Sequence, residues 1–370
     1  MEVARLMQVL VVNAGSDSLK ITHLGSDNAI LSDIKIDNWA AGDSDSVAAE
    51  LQGFGTVDAV GHRVVHGGPH LRDPTRIDTT VEEHIEQLTP LAPLHEPRAL
   101  AGIRAVNEAL PQTPAVACFD TTYHTTLSEA ACTYALPAAW RQRWELRRFG
   151  FHGLSHAYAA RRAAELLGRP VNGLRAVTCH IGSGVSLCAS QGGHSVDTTM
   201  GLTPLEGPVM EKRSGSVDPG LLLWLLTEGG LSATEVAEEL RSASGMAGLT
   251  GGSGDMRDVL AACRSGDASA ELAFDIYIRR LVQEIAAMTA TLGGLDVLVL
   301  SGDVGEHVAE LREAAAGRLG WLGVRMDTGH NATIYGEDAD VTGSGATVPT
   351  LVVATREDIE IARHVRETLQ

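Results

Sequence analysis

Short apolar runs with strand character alternate with amphipathic helical patterns along most of the chain. This alternation constrains the fold more than any other feature of the sequence. The runs that we predict to be strands are QVLVVNA, AVGHRVVH, AVACFDT, LRAVTCHI, LDVLVLSG and PTLVVAT. Helical periodicity is clearest in EPRALAGIRAVNEAL, SHAYAARRAAELLG, ATEVAEELRSA, AELAFDIYIRRLVQEIAAMTATLG and REDIEIARHVRETL. Strands and helices in alternation predict an α/β fold.

Length and charge limit the function classes. At 370 residues the chain exceeds one ordinary hydrophobic core, so we expect two domains. Its 29 Lys and Arg residues stand against 47 Asp and Glu residues, which gives a net charge of -18. A field of that sign repels nucleic acid and anionic membranes, so we predict neither as a partner. An anionic substrate then needs a local positive site.

Cysteine usage and apolar segments indicate the compartment. The five cysteines are odd in number and show no C-x-x-C spacing, which predicts reduced, buried thiols in a cytoplasmic protein. The run LLLWLL at 221–226 is far shorter than the roughly 20 apolar residues that cross a bilayer. No basic segment followed by an apolar one opens the sequence, so we expect neither secretion nor membrane insertion. The Gly-rich segment 245–255 is predicted to be a loop.

A strand followed by a turn of Gly and Ser occurs twice, in VLVVNAGSDS and AVTCHIGSGVSLCA, and a third strand ends in SGDVGE. Such turns expose backbone N–H groups that can surround phosphate oxygens. They predict a polyphosphate site formed by two similar halves. The alternative is that each turn is only a tight hairpin. Neither a P-loop nor a G-x-G-x-x-G motif opening a helix occurs.

Four polar residues stand where a packed core would not favour them: Arg63, Asp120, His152 and Arg213. Each has a structural explanation, respectively a salt-bridged strand residue, a helix cap, a core histidine and a solvated loop charge. Together they supply two guanidinium groups, a carboxylate and an imidazole near phosphate-type turns. That combination favours phosphoryl transfer.

The strings VVNAGSDSLK, GHRVVHGG, FDTTYHTTL, RFGFHGLSH, DTTMGLTPLEG and RSGSVDPG occur in this order. Over nearly the whole chain the sequence resembles the acetate kinase family of the acetate and sugar kinase, Hsp70 and actin superfamily. The resemblance implies a duplicated actin-like ATPase fold of the ribonuclease H-like type, with ATP in the cleft between two domains. It implies residues 1–124 plus 358–370 as the first domain and 125–357 as the second, which would also form the interface of a homodimer.

The implied reaction is the reversible transfer of a phosphoryl group from ATP to acetate, giving acetyl phosphate and ADP, with Mg²⁺ or alternatively Mn²⁺. Arg63 and Arg213 match the arginines that bind the carboxylate and the transferring group, and His152 matches the histidine that donates to that group. Asp120 completes the implied catalytic set and, with Glu357, organises the metal.

The remaining implied roles concern the metal, the nucleotide and the acid. The implied metal ligands are Asn13 and Glu357. The implied nucleotide contacts are Asn13, Ser16, Ser18, Lys20, His180, Gly182, Ser183, Gly184, Asp255, Met256, Arg257, Gly302, Asp303 and Gly305. The implied pocket for the methyl group of acetate consists of Val65, Leu94, Phe151 and Pro204.

The sequence departs from the usual family pattern at several positions: Asp17, Ser183, Glu211, Lys212, Ser216, Asp303 and Arg356. These departures bear on nucleotide affinity and on the choice of phosphoryl donor. Three hypotheses therefore follow: an acetate kinase, a kinase of propionate or another short acyl acid, and a nucleotide-binding paralogue without turnover. Retention of both arginines, His152, Asp120 and Glu357 favours an active enzyme.

Overall fold

The structure is a computed structural model that describes residues 7–15, 18–40, 42–51 and 53–370. Within these residues the strands are β1 (Val9–Ala14), β2 (Ser18–Leu24), β3 (Ile30–Asp37), β4 (Ala59–Val64), β5 (Thr75–Arg76), β6 (Ala115–Phe119), β7 (Arg175–Ile181), β8 (Val185–Gln191), β9 (His194–Thr198), β10 (Val297–Ser301), β11 (Ala339–Asp340) and β12 (Thr350–Val352).

The helices in the same residues are α1 (Ser44–Leu51), α2 (Thr79–Gln87), α3 (Glu96–Ala109), α4 (Glu129–Cys132), α5 (Ala138–Trp144), α6 (Gly153–Leu166), α7 (Pro219–Thr227), α8 (Ala233–Ser242), α9 (Gly245–Thr250), α10 (Met256–Arg264), α11 (Ala268–Leu292), α12 (Gly302–His307), α13 (Ala309–Gly317), α14 (Thr328–Asn331) and α15 (Glu357–Thr368). Short 3₁₀ helices span Thr122–Thr126, Val171–Gly173 and Gly320–Leu322.

Each of the predicted strands and helices overlaps an observed element of the same type. The predicted loop at 245–255 is wrong in its first half, because Gly245–Thr250 form α9. Gly251 ends this helix in the left-handed conformation, with φ of 69°. A glycine that closes one helical turn gives the same local composition as a glycine in a loop, so composition alone did not separate the two.

The chain divides into two compact units. The first contains Met1–Thr125, Phe151–Tyr158 and Arg356–Gln370, and the second contains Thr126–Gly150 and Ala159–Thr355. The segment 151–158 therefore belongs to the first unit although it follows 25 residues of the second. The division into 1–124 plus 358–370 and 125–357 stays a prediction.

The sheet of the first unit has the strand order β3-β2-β1-β4-β6-β5. Its central strands β1, β4 and β6 are parallel, whereas β2, β3 and β5 each pair antiparallel with a neighbour. Residues 9–12 of β1 are all buried, as expected for a strand covered on both faces. The continuous apolar run at the start of the sequence reflects this position.

The sheet of the second unit has the order β11-β12-β10-β7-β8-β9. Strands β7, β10 and β12 are parallel, β8 and β9 continue antiparallel from β7, and β11 pairs antiparallel with β12. Strand for strand this is the topology of the first sheet, with β7 in the place of β1, β10 in that of β4 and β12 in that of β6. The predicted duplicated α/β fold is confirmed.

All five cysteines lie within the described residues and are free thiols. Cys118, Cys132, Cys179 and Cys188 are buried, whereas Cys263 is half-buried. Among the helices of the described residues, none combines the length and the apolarity needed to cross a membrane.

The last helix of the chain closes one face of the first sheet. Buried Ile361 and Val365 of α15 pack on β4, β1 and β6. They approach the backbone of β4 at Gly61, where an added Cβ atom would lie 2.5 Å from Cγ2 of Ile361 and 2.7 Å from Cγ2 of Val365. Both side chains are β-branched and stiff at χ1, so they cannot turn away easily. Glycine at position 61 therefore sets how closely α15 lies on the sheet.

We predict that Gly61→Ala lowers the free energy of unfolding by about 1–3 kcal/mol, because the added methyl group overpacks the contact between β4 and α15. Thermal unfolding followed by circular dichroism measures the change. Gly55→Ala is the matched control, since no atom lies within 4 Å of its Cβ position. Equal midpoints for the two variants would contradict this account of the packing.

Candidate active site

Polar side chains gather at the carboxyl edge of the parallel strands in the first unit. Asn13 lies near the end of β1, Arg63 near the end of β4, and Asp120 directly after β6. The amide of Asp120 donates to the carbonyl oxygen of Val64 at 2.9 Å, which extends the ladder between β4 and β6 by one residue. Because parallel strands end at the same edge, residues far apart in sequence meet there.

Arg63 is the centre of this group. Its Nε donates to Oδ1 of Asp120 at 3.0 Å and its Nη2 to Oδ2 at 2.7 Å, a bidentate pair. Its Nη1 lies 3.4 Å from Oε2 of Glu357, the first residue of α15, and 3.5 Å from Oδ1 of Asn13. The side chain of Asp120 is 1% exposed and that of Arg63 is 19% exposed. The structure thus brings together four residues that the sequence implicated.

The charge of Arg63 is secured by these neighbours. Burial alone would lower the pKa of the guanidinium group. The charges of Asp120 and Glu357 and the hydrogen bonds to Asp120 outweigh burial, so the pKa of Arg63 is raised above its ordinary value. Arg63 is therefore a fixed positive group whose planar fork is held in one orientation.

His152 is attached to the same edge through its backbone. The amide of Gly153 donates to the carbonyl oxygen of Asp120 at 2.9 Å. A Cβ atom at position 153 would lie 2.2 Å from that oxygen, so only glycine permits the approach. His152 itself has φ of 54°, a left-handed conformation that is uncommon outside glycine and that is often found at functional sites. Buried Phe151 precedes it, and the carbonyl oxygen of Phe151 lies 3.0 Å from Nε2 of His124.

The first predicted phosphate turn joins β1 to β2. The amide of Gly15 donates to the carbonyl oxygen of Ser18 at 2.9 Å, and Nε of Arg98 donates to the carbonyl oxygen of Gly15 at 2.5 Å. Lys20 lies opposite Asn13 in the β1–β2 register, and its Nζ lies 3.6 Å from Oδ2 of Asp33. Predicted Ser16 and the departure Asp17 lie outside the described residues.

In the second unit the equivalent turn joins β7 to β8. Half-buried His180 lies in β7, and the amide of Gly182 donates to the carbonyl oxygen of Gly184 at 3.0 Å. The amide of Glu211 donates to the carbonyl oxygen of Ser183 at 3.2 Å. The second predicted phosphate turn therefore contacts the segment that contains Arg213.

Arg213 differs from Arg63 in its partners. Its Nη1 donates to the carbonyl oxygen of Pro204 at 2.7 Å, and within the described residues no ion pair joins it to a carboxylate. Burial lowers the pKa of Arg213, and the charge of Glu211 opposes that effect. Nζ of the neighbouring Lys212 lies 3.7 Å from Oε1 of Glu211, so this departure pairs with its neighbour. Arg213 presents a positive charge that a bound anion can neutralise.

The third predicted loop follows β10. Gly302 has φ of 81°, and a Cβ atom there would lie 2.7 Å from the backbone nitrogen of Ile181. Its amide donates to Oε1 of Glu306 at 2.9 Å and to Oγ1 of Thr355 at 3.0 Å. This N–H group is therefore already hydrogen-bonded to side chains of its own unit, and these bonds hold the loop after β10. Gly305 is buried within α12.

Further predicted nucleotide contacts lie in the same unit. Asp255 caps α10, and its Oδ1 accepts from the amide of Arg257 at 2.8 Å. Met256 between them is buried. The charge of Asp303 contributes to the raised pKa of Arg257, after the hydrogen bond and charge of Asp255. Nδ1 of His307 lies 3.1 Å from Oδ1 of Asp303, so this departure also has a local partner.

Two further departures have local explanations. Nε and Nη2 of Arg356 both donate to Asp358, with Nη2 to Oδ2 at 2.8 Å, which directs its charge toward Asp358. Oγ of Ser216 accepts from the amide of Gly207 at 3.0 Å, so this serine supplies a hydrogen-bond acceptor for the turn.

The predicted methyl pocket stays a prediction. Phe151 is buried and Val65 is half-buried, both in the first unit. Leu94, also in that unit, is 62% exposed. Pro204 lies in the second unit and is half-buried.

Several residues that support these groups were missed by sequence reasoning. Glu96 and Thr121 hold the turn after β4, accepting respectively from the amide of His66 at 2.7 Å and from that of Gly67 at 3.1 Å. Arg312 is fully buried and donates to the carbonyl oxygens of Gly305 and Glu306, among others. A charged residue inside a helix is normally solvated, so only the structure shows that Glu96 and Arg312 are buried.

The sequence matches a known protein family. A family profile described as Acetokinase family matches residues 43–363. The chain belongs to the acetokinase family. It is 43% identical to an acetate kinase of Deinococcus deserti and 45% identical to one of Leifsonia xyli subsp. xyli, each over 98% of this chain and 98% of the relative. The predicted family is confirmed.

Solved structures of acetokinase relatives have the same fold. The crystal structure of Porphyromonas gingivalis acetate kinase matches with a TM-score of 0.90 and 33% identity, over 98% of this chain and 100% of that chain. A propionate kinase from Francisella tularensis matches with a TM-score of 0.89 and 31% identity, over 98% and 99% respectively.

Proposed function

We propose that this acetokinase family member catalyses the transfer of a phosphoryl group from ATP to acetate, giving acetyl phosphate and ADP. Acetate kinase is the name of curated relatives that match almost end to end at 43% and 45% identity, and this confirms the predicted kinase class. The observation that supports the reaction best is the half-buried Arg63 at the carboxyl edge of the first sheet, which pairs with both Asp120 and Glu357.

The nucleophile in this reaction needs no general base. A carboxylic acid with a pKa near 4 is already ionised at neutral pH. The difficulty is that a carboxylate must approach a phosphoryl group that is also negative. Fixed positive groups and directed donors reduce that repulsion in the transition state. The chain supplies such groups in Arg63, Arg213 and His152.

The two arginines are suited to different tasks. Arg63 is held by Asp120 and Glu357, so its orientation is set before any ligand binds. We propose that it orients the acid and the transferring group. Arg213 donates to the backbone carbonyl oxygen of Pro204, and no ion pair within the described residues neutralises its charge. We propose that Arg213 supplies the charge that the incoming phosphate neutralises.

His152 has a conformation that suits a directed donor. Its left-handed backbone leads directly into Gly153, whose amide donates to the carbonyl oxygen of Asp120 and at which helix α6 begins. We propose that its imidazole donates a hydrogen bond to an oxygen of the transferring group.

The reaction also calls for Mg²⁺, and the oxygens of Asn13 and Glu357 fit that ion. Mg²⁺ favours oxygen ligands and is commonly held by one or two protein groups together with substrate phosphates. Oδ1 of Asn13 and Oε2 of Glu357 approach the same nitrogen of Arg63, at 3.5 and 3.4 Å. Within the described residues no cluster of three or more His, Cys, Asp or Glu side chains suits a metal. When bound, the ion neutralises charge on the phosphate oxygens, and Mn²⁺ offers the same chemistry.

We also propose that the turns of the second unit bind ATP, that the protein is a homodimer, and that it is cytoplasmic. Leu223 and Trp224 of α7 are 63% and 57% exposed, which supports an interface in the second unit. Light scattering checks the dimer, and a monomeric mass at all concentrations would contradict it.

The five free thiols support the proposal of a reducing, cytoplasmic compartment.

We predict that Arg213→Ala lowers kcat by about 10²–10³-fold, as expected when one preorganised donor to a transition state is removed. Arg213→Lys should recover little of this loss, because an ammonium group lacks the planar fork of guanidinium. An acyl-hydroxamate assay with ATP, Mg²⁺ and acetate measures turnover. Arg241→Ala, in the last turn of α8 and exposed, is the control. Near-normal turnover of Arg213→Ala would contradict its assignment.

A second prediction concerns the acid. With Val65 and Phe151 as pocket walls, we expect kcat/KM to rank acetate above propionate and both well above butyrate. Each added methylene changes discrimination by roughly 10- to 200-fold in a closely fitting pocket. Val65→Ala should narrow the differences, because it enlarges the pocket without changing the carboxylate contacts. The similarity to a propionate kinase makes that enzyme class the second candidate. Equal use of butyrate and acetate would refute the pocket assignment.

A further inference from the structure

One carboxyl group beside the candidate active site takes no direct part in the proposed phosphoryl transfer. Glu96 is the first residue of α3, and its side chain is fully buried. Its Oε1 accepts a hydrogen bond from the amide of His66 at 2.7 Å. Its Oε2 is also buried, and within the described part of the chain it has no hydrogen-bond partner. Such a group calls for an explanation, because buried carboxylates normally have several partners.

The hydrogen bonding of Glu96 favours the neutral acid. An ionised carboxylate spreads its charge over both oxygens and needs donors on each. Here one oxygen has one donor and the other has none, so burial of the charged form would be costly. Burial accordingly raises the pKa of Glu96 to about 8; the bond from His66 opposes this shift, and the negative charge of Asp120 adds to it.

Glu96 lies against a turn that contacts three segments of the candidate active site. These segments contain Arg63, Asp120 and His152. This turn, residues 66–68, begins three residues after Arg63. Nδ1 of His66 accepts from the amide of Gly68 at 2.9 Å, and the amide of Gly67 donates to Oγ1 of Thr121, the neighbour of Asp120, at 3.1 Å. The ring of His66 contacts the ring of Phe151, the neighbour of His152, with centroids 5.3 Å apart. The position of His66 thus affects all three segments.

The charge that acts on Glu96 lies outside its own helix. Asp120, after β6, is the charge whose field acts on it, and Arg63 of β4 is paired with Asp120. On α3 itself, Arg98 donates to the carbonyl oxygens of Gly15 and Trp39.

Helix α2 also packs against α3, but its charged groups pair with a residue of α3 that lies further along the helix from Glu96. Glu82 and Glu86 of α2 pair with Arg104, eight residues beyond Glu96, which corresponds to about 12 Å along the helix. A proton lost from Glu96 therefore adds a negative charge near that of Asp120, whose ion-pair partner is Arg63.

We propose that Glu96 is a positioning residue of the phosphoryl-transfer site: as a neutral acid it holds the turn 66–68 through His66, and its ionisation at alkaline pH disturbs Arg63 and Asp120 and lowers turnover. The proposal rests on the proposed function for its kinetic part. Its structural part, a buried protonated carboxyl group, stands without it.

The kinetic test compares pH profiles of kcat for the unmodified protein, Glu96→Gln and Glu83→Gln. Glutamine keeps an oxygen acceptor for His66 and is uncharged at every pH, so it mimics the neutral acid. Glu83 lies on α2 and is exposed, so its variant has the same charge change on a solvated side chain. ADP formation from ATP and acetate is measured by chromatography, and each profile is normalised to its value near pH 7.

We expect the unmodified protein and Glu83→Gln to lose about tenfold in kcat between about pH 7 and pH 9.5, with an apparent pKa near 8. Glu96→Gln should lose no more than about twofold over that range. A merely structural glutamate would change kcat without changing the shape of the profile. The same alkaline decrease in Glu96→Gln would overturn the proposal.

A second measurement needs no turnover. A carboxyl group protonated when folded and ionised when unfolded stabilises the folded state at low pH, and this contribution is lost as pH rises from the unfolded pKa near 4.5 to the folded pKa near 8. The thermal unfolding midpoint of Glu96→Gln should therefore rise relative to that of the unmodified protein between about pH 5 and pH 8, and the difference should become constant above about pH 8.5. A difference independent of pH would overturn the proposal. If the unmodified protein formed no acyl phosphate, the proposed function would fail, whereas the unfolding series would still decide the protonation of Glu96.

Discussion

The bidentate pair between Arg63 and Asp120 is the interaction on which the candidate site of the first unit depends. A guanidinium group that is largely removed from water must be compensated by carboxylates, and Asp120 and Glu357 supply that compensation. These residues come from β4, from the end of β6 and from the start of α15. The parallel arrangement of β1, β4 and β6 places their ends together, and α15 is brought to the same sheet because Gly61 allows it close approach. The position of Arg63 is therefore a consequence of the fold.

The duplication places different chemistry at equivalent positions of the two sheets. Arg63 lies on β4, whereas the equivalent strand β10 leads into Gly302. The amide of Gly302 donates hydrogen bonds to the side chains of Glu306 and Thr355. The first sheet thus has the ion pair of Arg63 and Asp120 at its carboxyl edge, whereas in the second sheet the loop after β10 is held by hydrogen bonds from a glycine amide. Fixed charges suit the orientation of an acid and a transferring phosphoryl group, whereas compact turns let a nucleotide approach the backbone.

Local patterns predicted much of the fold, because strands and helices have periods that a sequence displays directly. The apolar run of β1 and the period of α11 are examples. The partners of Arg63 could not be read from a pattern: Asp120 lies 57 residues away, and the interpretation of Arg63 as a salt-bridged strand residue is also correct. Its structural and proposed catalytic roles coincide, since the same pair stabilises the charge and sets its direction.

Buried polar residues were the main class that the sequence concealed. Glu96 begins a helix, where an acidic residue is ordinary, and nothing in HEPRAL indicates that its carboxyl group is enclosed. Arg312 and Glu306 are similar cases in α13 and α12. The reverse error occurred at α9, where glycines that close a short helix were interpreted as a loop. For Glu96, Arg312 and Glu306 the deciding fact was burial by tertiary contacts, which local composition does not contain.

We propose that Arg63, Arg213 and His152 promote transfer of a phosphoryl group to the oxygen of a carboxylate. Phosphorus-31 NMR of the purified protein with ATP, Mg²⁺ and ¹⁸O-labelled acetate tests it most directly. The expected product is acetyl phosphate whose phosphorus resonance shows the isotope shift of one bridging ¹⁸O, formed in step with ADP. Release of inorganic phosphate and ADP, with no labelled acyl phosphate at any time, would contradict it.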